Sequence, residues 1–542
     1  MRDWRACLVA FLTIVVAGRT AAASWPTYAG GPHRLFFNPH PGRITAGSVA
    51  RLRVKWKFHA GGPVTASPSV VSLDIPGKGR TLVAFVPSWD HNLYAIRVRD
   101  GAELWRFAMA DQPGAPYPNA GSPDVRKVGR RWRVFIAGGE TMYAVDALTG
   151  REVWHFTAGT GCTSGLCGFT GERNEIESSA IVADGKVFFG MDVNEENGKG
   201  GFYAVDVRDG HLVWYFDLET AATCRPRTGD DIRRFDGYHS EAELGLPAGV
   251  LTTRAGCDFA RVRDGCGSVW SSAAIDERRQ ALYFTSASCD SGDNSGVYEE
   301  AIVSLHLDGT PSWHWRPRRS DTHDLDFGSV PNLFTITVNG KRRAVVGAGG
   351  KDGTYYVIDR DGVNRATGVR WNDADPSSLP YWRTQVVPGG DIGGIIATAA
   401  VDERARRVYF STAPGNDADL FNPQRPTVHA LDADTGAIVW QNTAEPDADA
   451  SFAPTSAIPG AVFVGKNVGG ALRAYDAATG AQLATFPVGV TVASAPAVVG
   501  GTVIVGSGSG SRGPDPTDPG QIEAVTPVDV TAFCVAGTQG CQ

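Results

Sequence analysis

Apolar and polar positions along the chain repeat as one unit. At Tyr143–Trp154 the residues read Tyr-Ala-Val-Asp-Ala-Leu-Thr-Gly-Arg-Glu-Val-Trp. The pattern returns at Tyr203–Trp214 and at His429–Trp440. Weaker copies end at Trp105, Trp313 and Phe486, and a diverged copy starts at Tyr356 and resumes at Trp382 after an insertion. Alternation of apolar and polar residues predicts a strand. The Asp-x-x-Thr-Gly that follows predicts a tight turn, with Asp accepting backbone N–H groups and Gly supplying a positive φ. A second strand then carries the Trp inward. Another strand pair precedes each hairpin, as at Ala180–Gly190 and Thr502–Gly506. Four strands per unit predict the blade of a β-propeller.

The hairpin occurs seven times. An eighth strand pair near Ala493–Gly506 lacks a Trp strand of its own, and Leu52–Phe58 is a Trp strand with no preceding partner. Ring closure resolves both: the first strand of the chain completes the last blade and leaves no frayed edge. The expectation is an all-β, eight-bladed propeller forming one domain over residues 24–542. Two stretches break the rhythm, near residues 217–263 and 363–381. Long loops on a rigid scaffold often cover a site.

Composition changes the picture in three ways. The first residues carry two arginines, an apolar run from Ala6 to Gly18, and Ala21-Ala22-Ala23 before Ser24. That order predicts a cleaved export signal over residues 1–23 and a periplasmic or secreted protein with no membrane span thereafter. The net charge of -7, with no basic stripe, argues against nucleic acid. Nine cysteines are present. Cys7 falls in the signal, and the even remainder suggests disulfides in an exported chain. Cys162–Cys167 and Cys534–Cys541 are plausible local pairs. No Cys-x-x-Cys occurs, which disfavours zinc and covalent c-type haem.

The Ala-x-Asp-x-x-Thr-Gly-x-x-x-Trp unit resembles the tryptophan-docking repeat of quinoprotein alcohol dehydrogenases, which use pyrroloquinoline quinone (PQQ). Four central stretches narrow the resemblance to the polyvinyl alcohol dehydrogenase branch: Gly265–Asp276, Asp324–Phe334, Val345–Tyr356 and Trp382–Ile395. The resemblance implies PQQ with Ca²⁺, an alcohol substrate and a separate electron acceptor such as a c-type cytochrome. It implies Asp326 as the catalytic base, with Asp324 as helper or runner-up. It places Trp270 under the quinone, Ser268 beside the cofactor, and Lys351 near the quinone oxygens. For Ca²⁺ it points to Glu195 or Glu196, to Asp326, and to Asp290 in place of the family's Asn, whose position falls at Ser288 or Cys289. Two departures stand out. Leu325 replaces the family's Trp before the base, and the family's vicinal cysteine pair is missing. Without the quinone, the same blades would serve as a propeller that binds a protein or polysaccharide.

Overall fold

The computed structural model describes residues 24–111, 116–158, 174–194, 198, 200–219, 222–224, 266–289, 298–318, 324–363, 368, 379–390, 392–415, 426–442, 451–466, 470–489, 491–508 and 528–541. Among these, eight antiparallel blade sheets follow one another along the chain, seven of four strands and one of five, and a two-stranded sheet pairs Ile392–Gly394 with Ala413–Gly415. Blade 1 consists of Ser69–Ile75, Gly79–Ser88, Asn92–Arg97 and Glu103–Ala108. Blades 2 to 7 repeat that order. In blade 3, Ala222–Cys224 adds a fifth, outermost strand. Blade 8 takes Ala497–Val499, Thr502–Gly506 and Asp529–Val535 from the C-terminal end, and Leu52–His59 from the N-terminal end. Ring closure is therefore made by antiparallel pairing of the chain's first long strand with its last.

The repeat unit explains how blades join. In the hairpins of blades 2, 3 and 6, the ladder shifts register after Ala144, Ala204 and Ala430, leaving each Ala opposite Trp154, Trp214 and Trp440. A small residue there leaves room for the indole. Each indole then crosses to the turn of the next blade. The Nε1–H groups of Trp56, Trp105, Trp154, Trp214, Trp313, Trp382 and Trp440 donate to the carbonyls of Val98, Ala147, Val207, Leu307, Arg360, Ala433 and Ala477 at 2.9–3.2 Å. The turn glycine lies under the ring. At Gly309, φ is +90°, and a Cβ would stand 2.7 Å from Trp214. The turn aspartate behaves as expected: Asp146 Oδ1 accepts the N–H groups of Leu148 and Thr149 at 3.1 and 3.0 Å.

The copy ending at Phe486 corrects the sequence reading. Register places Ala484, opposite Ala474, at the docking position, and Phe486 lies two residues further along. Blade 8 explains the loss. Its two outer strands come from opposite ends of the chain, so no Asp-x-x-Thr-Gly turn exists for an indole to meet. Phe486 instead packs against Phe533, with ring centroids 5.4 Å apart. The predicted Cys534–Cys541 disulfide is present beside this junction. A second disulfide joins Cys266 to Cys289, a pairing the spacing did not suggest. Cys162 and Cys167 lie outside the described residues, as do residues 1–23 and most of both insertions.

The segment from Trp25 to Phe36 lies inside the ring. Its carbonyls take the N–H groups of successive innermost strands: Trp25 from Val70, Pro26 from Val125, Pro32 from Ile275, His33 from Leu333, Leu35 from Val401 and Phe36 from Ala457. Arg34 and Phe36 are fully buried within it. The Arg34 guanidinium donates to the carbonyls of Ala273 and Tyr28 at 2.7 and 2.8 Å. Burial lowers its pKa to about 10.

Candidate active site

Three connections bring the predicted residues together. Trp270 follows blade 3, in the connection to Ala274–Asp276. Asp324 and Asp326 precede the first strand of blade 5, Asn332–Val338. Lys351 occupies the turn between Lys341–Gly349 and Thr354–Asp359 of the same blade. The Lys351 N–H donates to the Asp326 carbonyl at 2.9 Å, which ties the two segments by backbone. Ser329 Oγ donates to the Gly349 carbonyl at 2.9 Å just below.

The side chains converge on Asp326, which is 1% exposed. Trp270 Nε1–H donates to its Oδ2 at 3.2 Å. Lys351 Nζ stands 3.1 Å from its Oδ1 and 2.7 Å from Asp324 Oδ2. The same ammonium lies 5.7 Å from the Trp270 ring centroid, within cation–π range. Burial pushes the Asp326 carboxyl up to about 6, with the Lys351 charge opposing that rise and Asp324 adding to it. Burial alone would weaken the Lys351 ammonium, but the two aspartates outweigh it and hold its pKa above the usual lysine value. The result is a buried carboxylate with a raised pKa next to a lysine held protonated, an arrangement suited to general base chemistry.

Trp270 differs from the docking tryptophans. It is only half-buried, and Gly328 packs against one edge of its ring so closely that a Cβ there would collide with it. An indole with uncovered surface, beside a cation and a base, fits a planar cofactor that needs a stacking floor. Asp326 Oδ1 is buried and has no aligned hydrogen bond, so it is an oxygen with capacity for a cation, which it would share with the Lys351 ammonium. Ser268 is buried two residues before Trp270, but its hydroxyl donates to Asp192 Oδ1 at 2.5 Å and accepts from the Val193 N–H. It supports the wall rather than joining the group around Asp326. Glu195, Glu196 and Asp290 lie outside the described residues. Cys289 is bonded to Cys266, so neither offers a thiolate to metal, although both approach Glu299. Ser288 Oγ donates to Glu300 at 3.0 Å.

The sequence reading missed an acidic pair. Burial raises the carboxyls of both Glu177 and Asp192. Glu177 is raised further by Asp192 and Glu175, while the Ser268 hydrogen bond opposes the shift at Asp192. The available signal was Asp192 flanked by Met191 and Val193, and Glu177 set just ahead of the apolar Ala180–Ile181.

Comparison with known proteins bears on the family and the fold. Residues 25–390 match the family model described as PQQ, glucose/ethanol/alcohol dehydrogenase, beta-propeller domain. A polyvinylalcohol dehydrogenase from a Pseudomonas species is 25% identical over 546 residues, covering 90% of this chain and 73% of that protein. A polyvinylalcohol dehydrogenase from a Sphingopyxis species is 21% identical over 525 residues, covering 86% of this chain and 70% of the other. Among solved structures, the quinohemoprotein alcohol dehydrogenase of Comamonas testosteroni superposes with a TM-score of 0.67 at 21% identity, covering 96% of this chain and 81% of that one. A europium-containing methanol dehydrogenase gives a TM-score of 0.67 at 16% identity, covering 94% of this chain and 98% of that one. The structural likeness carries the fold, and the family match spans more than half of the sequence. The chain belongs to the PQQ-dependent alcohol dehydrogenase family of eight-bladed β-propellers.

Proposed function

We propose that the protein oxidises a secondary alcohol, of the kind carried by polyvinyl alcohol, to a ketone. The observation that carries this reading is the buried Asp326, held between Trp270 and Lys351. When bound, PQQ supplies the quinone that accepts hydride from the alcohol carbon, and Ca²⁺ polarises that quinone as a Lewis acid. The protein's own part is positional and acid–base. Trp270 provides the floor. Asp326 takes the hydroxyl proton. Lys351 stabilises negative charge where the reacting oxygens lie. Asp326, Glu195 or Glu196, and Asp290 would supply oxygens to the cation. The proposed electron acceptor is a separate c-type cytochrome outside the cytoplasm, reached after removal of residues 1–23. Among the described residues, no helix is long and apolar enough to cross a membrane.

The test is reconstitution of the purified protein with PQQ, with and without Ca²⁺. Dye reduction is then followed with primary alcohols, secondary alcohols and polyvinyl alcohol. Activity that needs PQQ, rises with Ca²⁺ and favours secondary alcohols is expected. Folded protein that binds PQQ yet reduces no dye with any alcohol would overturn the reading.

A further inference from the structure

The Asp326–Lys351 pair depends on two short segments keeping their places. Asp324 has φ of 51°, in the left-handed region, where an L-residue stays only if its surroundings hold it. Arg318 supplies much of that hold. Its Nη2 donates to the Leu325 carbonyl at 2.6 Å, between the two aspartates. Its Nη1 donates to Asp352 Oδ2 at 3.0 Å, directly after Lys351. Its Nε stands 3.8 Å from Glu300 in blade 4. Asp352 in turn accepts hydrogen bonds from the Thr354 N–H at 3.0 Å and from the Tyr356 hydroxyl, which anchors the turn to its strand. Arg318 is 22% exposed and Asp352 15%, so water screens the contact little.

We propose that Arg318 is a positioning residue: one guanidinium fastens the run 324–326 to the Lys351 turn and sets the distance between base and cation. The proposal rests on the reading of Asp326 as base. The chemistry requires arginine, because a rigid fork of donors reaches a carbonyl and a carboxylate on different segments at once. A lysine could serve one of them.

The test compares Arg318→Met, Arg318→Lys and the parent chain. In PQQ-free protein, backbone hydrogen exchange is measured over residues 324–327 and 350–353. Exchange there should quicken about tenfold in Arg318→Met, the scale of one lost charge-assisted hydrogen bond, while blades 1, 2 and 7 stay unchanged. In the PQQ-loaded enzyme, kcat should fall on the order of 100-fold with KM nearly constant, as expected for misplacement near the reacting atoms. Arg318→Lys should fall between the two. Unchanged exchange in both segments, exchange quickened equally in every blade, or a kcat equal to the parent's would each overturn the proposal. If the parent chain shows no alcohol oxidation at all, the base assignment fails separately, and the exchange data still report whether Arg318 fixes these segments.

Discussion

At the scale of single residues, the site is governed by one buried carboxylate. Asp326 has a pKa of about 6, raised chiefly by burial. The proposed base works only when ionised, so at low Ca²⁺ kcat/KM should climb as pH rises through about 6 and level above it. Lys351 opposes the effect of burial, so Lys351→Met should move that limb to higher pH, measured as a shift in the pH–rate profile. The proposed Ca²⁺ would favour the charged form of the carboxylate, so raising its concentration should move the limb to lower pH. Asp326→Asn removes the proposed base and should lower kcat by roughly 10²–10⁴-fold, with PQQ still bound as judged by absorbance titration. Much of this was legible in the chain. Asp326, Trp270 and Lys351 sit in stretches whose order resembles known dehydrogenases, and the fold brings all three together. Glu177 and Asp192 were not legible, because a carboxylate in a short connection ordinarily faces water, and only the stacking of neighbouring blades buries these two. Ser268 was legible as a neighbour of the site, but its hydroxyl serves Asp192.

At the scale of the element, a blade is a hairpin with a seat for its neighbour's tryptophan. Trp214 is fully buried and spans blades 3 and 4. Trp214→Ala should destabilise the protein by about 3–5 kcal/mol through the cavity it leaves. Gly309→Ala should cost about 1–3 kcal/mol, because the added methyl meets that indole and the backbone has a positive φ. Ala484 gives the converse case. Adding an indole at Ala484→Trp should bring no gain in thermal stability, since blade 8 offers no glycine turn to receive it. Both outcomes can be read from thermal unfolding. The hairpins were legible because strand alternation, turn aspartate and glycine are local features. The docking position of the last copy was not, because the aromatic Phe486 lies near the expected place while the ladder register selects Ala484.

At the scale of the whole molecule, the eight-bladed ring was legible from an unpaired strand at each end of the repeat. The inner segment from Trp25 to Phe36 was not, since it carries neither the repeat nor an alternating pattern and is ordered by backbone N–H groups that six different blades donate to its carbonyls. Truncation before Asp529 should leave Leu52–His59 without a partner, so the shortened chain should lose cooperative unfolding and aggregate, as seen by calorimetry and light scattering. The pairing of Leu52–His59 with Asp529–Val535 also has a consequence in time. One strand is made long before its partner, since Lys57 and Asp529, hydrogen-bonded across this ladder, are 472 residues apart. The seven intervening blades must therefore emerge before either can be satisfied, and folding must wait on a contact of very large sequence separation. Until then Leu52–His59 stays exposed, which makes this step the natural point for a chaperone to act and for a slow mutant to be degraded.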